Sequence, residues 1–118
     1  MKKIKVYNVT KDRVLLQEVE IADSFLLRLK GLLGRKGVSP GKGIIIKPCN
    51  AVHTLGMSFP IDVVFVDKED HICRLIEGML PNRFSPVVKE ALYVVEGPAG
   101  FGGQAGAQEG DKLKWVEV

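Results

Sequence analysis

Apolar and polar residues alternate along Ile4-Lys5-Val6-Tyr7, turn residues follow over Asn8 to Arg13, and Val14 to Ile21 resumes strand character. The chain therefore opens with a predicted β-hairpin. Ala22-Asp23-Ser24 then offers a helix cap, and Phe25, Leu29 and Leu32 recur at i, i+4 and i+7. That spacing predicts one main helix over about 23–33, stopped near Gly31 or Gly34. A loop rich in glycine leads to Ile44-Ile45-Ile46-Lys47, a short buried strand ended by Pro48. Ile61 to Asp67 is apolar at almost every position, as in a strand covered on both faces, and Lys68-Glu69-Asp70 turns the chain into a partner strand from His71 to Glu77. Ala91 to Glu96 and Lys112 to Trp115 complete the pattern, with Leu113 and Trp115 inward and at most one or two helical turns between 101 and 108. Seven short strands with one main helix predict an α+β, mostly β fold, in which a small mixed or antiparallel sheet curls into a barrel-like form.

Composition changes this picture little. At 118 residues the chain is long enough for one domain with its own core and no disulfide or metal staple, so residues 1–118 are expected to form a single domain. Hydrophobic residues at 46% and charged residues at 26% are ordinary for a soluble globular protein. Seventeen basic residues against fourteen acidic ones are spread along the chain, which argues against nucleic acid as a partner. No run approaches the roughly 18 apolar residues of a membrane span, and no secretory core follows Met1-Lys2-Lys3. The expected location is cytoplasmic, with Cys49 and Cys73 reduced and no C-x-x-C redox motif between them. Oligomeric state is not readable from the sequence.

The polar chemistry is concentrated in Pro48-Cys49-Asn50-Ala51-Val52-His53-Thr54-Leu55-Gly56-Met57-Ser58-Phe59-Pro60, directly before the apolar strand in which Asp62 sits. Cys49, His53 and Met57 are four apart and on a helix would offer a thiolate, an imidazole and a thioether, a set suited to Cu(I). Pro48, Gly56 and Pro60 favour a loop instead, so neither metal nor cofactor is expected. Cys49 with His53 has the composition of a nucleophile and its base, with Asn50 or Asp62 as a third member, although no oxyanion hole is evident. Asp62 interrupts an apolar strand and must be paired or hydrogen-bonded, its candidate partners being His53, Arg28, Arg35, Arg74 and Arg83. Arg28, Arg35 and Arg83 are candidates for an anion-binding stripe, and Asn50 and Thr54 are suited to turn capping as much as to ligand contact.

Arg28-Leu29-Lys30-Gly31-Leu32-Leu33-Gly34-Arg35, the run from Gly43 through Pro48-Cys49-Asn50-Ala51-Val52-His53-Thr54 to Asp67, Leu80-Pro81, Arg83, Glu96-Gly97-Pro98-Ala99-Gly100 and Gly110-Asp111 follow one another in an order that resembles the domain of unknown function 192 family. The resemblance spans nearly the whole chain and implies a small, mostly β domain with a shared polar segment and no agreed activity. Gly97 stands where the family usually has an aliphatic residue and Leu33 where methionine is common. The leading expectation is a binding or accessory module for a small ligand, its pocket formed by residues 48–62 with His53 and Asp62 as polar anchors. The alternatives are a Cys/His-dependent enzyme and a polar segment that serves only to fold its own loop.

Overall fold

The computed structural model describes residues 3–24 and 31–118. Among the described residues seven strands, β1 (Lys3–Asn8), β2 (Arg13–Ala22), β3 (Lys42–Ile46), β4 (Ile61–Asp67), β5 (Ile72–Met79), β6 (Ala91–Pro98) and β7 (Leu113–Glu117), form one sheet, accompanied by a four-residue helix, α1 (Phe101–Gln104). The sheet order is β5-β4-β6-β3-β2-β1-β7. Both expected hairpins are present, β1 with β2 and β4 with β5, and the mixed character comes from one parallel pair, β2 with β3. A parallel pair requires a crossover, which residues 23–41 supply. Most of the helix expected over about 23–33 falls on residues 25–30, outside the described residues, while Gly31 to Gly34 is a turn.

The barrel-like closure expected from the sequence is not reached. β5 and β7 are the two edges of an open sheet, joined only by the isolated bridge His71–Lys112. The physical reason lies in the segment before β7. Its backbone takes up the start of β5 through Ile72 N–H to Asp111 O at 2.8 Å and Gly110 N–H to Ile72 O at 2.7 Å, so the two edges touch at one end and never run alongside each other as a ladder.

β4 explains why both faces of this sheet are dry. All residues from Ile61 to Val66 are buried, and because successive side chains point to opposite faces they feed two cores. Ile61, Val63 and Phe65 pack with Ile44, Ile46, Met57, Met79 and Val94 beneath the loops. Val64 and Val66 pack with Ile45, Val95, Leu16, Tyr93 and Phe101 of α1 on the other side. No helix among the described residues is long and apolar enough to cross a membrane.

A buried polar knot fastens β1 to the turn before β7. Asn8 is fully buried and donates to Asp111 Oδ2 at 2.9 Å, Lys11 Nζ reaches Asp111 Oδ1 at 2.8 Å, and Gln108 N–H adds a third donor at 3.0 Å. Burial alone would raise the Asp111 pKa, but the hydrogen bonds from Lys11, Asn8 and Gln108 outweigh it and hold the carboxyl below its usual value. A depressed carboxylate contributes stability that is present above its unfolded pKa of 3.8 and is lost as pH falls through the lower folded value. Asp111→Asn is therefore expected to cost about 1–2 kcal/mol at neutral pH, and the gap from the parent should narrow below pH 4 in urea unfolding. An unchanged gap at low pH would mean that the charge of Asp111 is not what holds this knot.

Candidate functional site

The polar segment from Pro48 to Pro60 leaves β3, crosses over the face that carries Ile44 and Ile46, and returns to start β4. It is not a helix. Residues 50–54 lie along residues 82–88 through backbone bonds: Val88 N–H to Asn50 O at 2.8 Å, Ser85 N–H to Val52 O at 2.9 Å, and Thr54 N–H to Arg83 O at 2.8 Å. Thr54, fully buried, is the pin of this clip, its hydroxyl donating to Leu80 O at 2.6 Å and accepting from Arg83 N–H at 3.0 Å.

Between this clip, the Gly31-Leu32-Leu33 turn and the sheet lies a cleft of about 100 Å³, lined by Leu32, Ile46, Cys49, His53, Met57 and Glu96 among others. Cys49, His53 and Met57 all line this one cavity. Their hydrogen bonds to described residues nevertheless do not join them. Cys49 donates its thiol proton to Ala51 O at 3.1 Å. His53, exposed and tilted against the exposed Phe84 ring at 6.2 Å, accepts Leu55 N–H on Nδ1 at 3.2 Å. With Nδ1 so occupied, the neutral ring carries its proton on Nε2 and is a donor, which does not suit it to deprotonate a thiol. Among the described residues no group of three or more His, Cys, Asp or Glu is arranged to hold a metal ion.

Asp62 is not in the cleft. Strand alternation turns it to the α1 face, opposite Gly97 of β6, where Oδ1 accepts Gly78 N–H at 2.7 Å and Oδ2 accepts Gly102 N–H at 3.2 Å. The sheet itself separates it from His53. None of its expected arginine partners among the described residues is bonded to it: Arg35 bonds Glu20 at 3.2 Å, Arg83 donates to Pro81 O and Asn82 O, and Arg74 is registered against Phe65, which packs on the other face of the sheet. Arg28 lies outside the described residues. Asn50 is exposed and faces a separate shallow surface beside Ala91 and Leu92. Cys73, half-buried on β5, donates to Phe65 O at 3.4 Å, and burial followed by the Asp67 carboxylate pushes its thiol pKa up, away from reactivity.

The residue that sequence reasoning passed over is Glu96. It lies mid-sheet on β6, registered against Ile44 of β3 and Val63 of β4, and so belongs to the apolar face beneath the loops. Only 3% of it is exposed, and it lines the cleft. No hydrogen bond from a described residue reaches its carboxylate, and burial raises its pKa from 4.5 to about 7. The available signal was a lone acid at the end of Leu92-Tyr93-Val94-Val95, the same kind of interruption that marked Asp62. A second polar cluster also went unread. Tyr93 donates to Asp70 at 2.8 Å and accepts from Trp115 Nε1 at 3.3 Å, while Lys47 Nζ sits 5.2 Å from the Trp115 ring. Every member of that cluster is satisfied by another, which suits a fastening rather than an open site.

The family model described as "Uncharacterized ACR" matches residues 6–115. The chain belongs to the domain of unknown function 192 family. A UPF0127 protein of Pyrococcus furiosus is 35% identical to this member over 114 residues, covering 92% of the chain and 95% of the relative. A UPF0127 protein of Pyrococcus abyssi is 34% identical over 105 residues, covering 84% and 86%. A solved structure of a protein of unknown function from Novosphingobium aromaticivorans shares the fold of this family member, with a TM-score of 0.82 at 22% identity over 96% of this chain and 84% of that one. None of these descriptions assigns an activity.

Proposed function

We propose that this chain is a small binding module and that the cleft over β3 and β6 is its ligand site. One observation carries the reading: Glu96, only 3% exposed and set in an apolar face, receives no hydrogen bond from a described residue and turns its carboxyl group to a cavity that opens to solvent. A carboxyl group set this deep in an apolar face loses most of its hydration and costs the fold free energy unless a donor meets it. An unmet group in an open cleft is what a ligand site looks like before its ligand arrives. The anchors of the site are then Glu96 and His53, with Leu32, Ile46 and Met57 as apolar walls. The thiol-enzyme reading is weaker, since the Cys49 proton is directed to a backbone carbonyl and the Nδ1 of His53 is already engaged.

Chemical-shift mapping with a library of small fragments tests this. Hits should perturb Leu32, Ile46, His53 and Met57 together. A library whose hits gather at Trp115 and Lys47, or which perturbs nothing, would remove the cleft from consideration.

A further inference from the structure

We infer that the cleft selects a primary ammonium group carried on a short aliphatic chain, with its N–H donors directed at the Glu96 carboxylate. This rests on the binding reading above and names its ligand class. The charge pattern is the first argument. Among the described residues that line the cleft Glu96 is the only acid and none is a lysine or arginine, so the one formal charge these residues carry is negative. An ionised carboxylate only accepts, and a ligand that meets it must donate. An ammonium group donates and also neutralises, giving the stronger charge-assisted bond.

The remainder of the cavity selects the tail. Leu32, Ile46, Val52 and Met57 offer apolar surface, and Leu33 at 42% and Leu55 at 40% exposed leave apolar side chains at the rim for a tail to cover. A cavity of about 100 Å³ is smaller than the roughly 150 Å³ engineered hole that holds benzene, which limits the inserted part to about four heavy atoms. A guanidinium group fits the donor set less well, because its five N–H groups would face a single carboxylate.

Few titratable groups face Glu96 from the described elements. Cys49 and His53 are the other titratable side chains on the cleft lining, from the loop; Ile44, Ile46 and Val63 face it from β3 and β4. Lys42, two residues before Ile44, is drawn to Glu18 at 3.6 Å, and Asp62 points to the opposite side of the sheet. Below about pH 7 the unliganded carboxyl holds a proton that an ammonium ligand must displace. Affinity for the cation should then fall about tenfold for each pH unit below that point.

The test is a titration of the full chain with n-butylammonium chloride, n-butanol and sodium butyrate between pH 5.5 and 8.5, read by chemical shifts of Met57 and Ile46. Butylammonium is expected to bind at least tenfold tighter than butanol at pH 8, with that preference shrinking toward pH 5.5. Glu96→Gln should erase both the preference and its pH dependence while butanol still binds. Butanol or butyrate binding as well as the cation at pH 8 would overturn the ammonium inference and leave the cleft reading standing. If none of the three perturbs the cleft residues, both fall.

Discussion

Asp62→Asn is expected to lower stability by about 2–4 kcal/mol and to leave ligand binding in the cleft unchanged. The carboxylate is fully buried and divides its oxygens between two backbone donors on different elements, Gly78 at the end of β5 and Gly102 in α1. α1 has no capping side chain of its own, since Gly100 stands at its cap position. The first N–H groups of any helix have no partner within it. Asp62 supplies that acceptor from across the sheet, and this is why an acid is tolerated in the most apolar strand of the chain. The amide of asparagine keeps one acceptor and turns the other into a donor facing an N–H, so one charge-assisted bond is lost and two donors oppose each other. Urea unfolding of the variant measures the first half of the expectation and the butylammonium titration the second. A variant of parent stability that no longer binds would place Asp62 in the ligand site and refute its assignment as a fastening residue.

The same residue marks where the sequence can be read and where it cannot. The strands were legible because apolar residues gather between turn residues, and the two hairpins because their partners are adjacent in the chain. The placement of β3 between β2 and β6 was not legible, since it depends on a crossover and on pairings distant in sequence. In Ile61-Asp62-Val63-Val64-Phe65-Val66 both faces are buried, so hydrophobicity does not alternate and gives no sign of which way Asp62 points. Nine residues apart, His53 and Asp62 look like neighbours in sequence, yet the sheet stands between them. Cys49, His53 and Met57 were brought to one cavity by a loop rather than by the helical spacing that first linked them. Glu96 was hidden for the complementary reason: its neighbours in the cleft come from three other parts of the chain, and nothing local announces them.

Glu96→Gln should raise stability at pH 8 by roughly 3 kcal/mol, leave it nearly unchanged at pH 4.5, and weaken the ammonium ligand at the same time. The folded pKa of about 7 lies above the unfolded value of 4.5. For such a group the contribution to stability is complete below the unfolded pKa. It is lost as pH rises toward and through the folded pKa, because the unfolded chain releases a proton that the folded one retains. The parent protein should therefore lose stability progressively between about pH 4.5 and 7 and level off above, whereas the glutamine variant, with nothing to ionise there, should not share this loss. The difference between two urea-unfolding profiles over that range isolates Glu96 from the other titrating groups. Parallel profiles would mean that the carboxyl is already paired in the folded chain, and the binding reading would lose its main support. A variant that is both more stable and unable to discriminate the cation is the signature of a residue retained for binding at the expense of the fold.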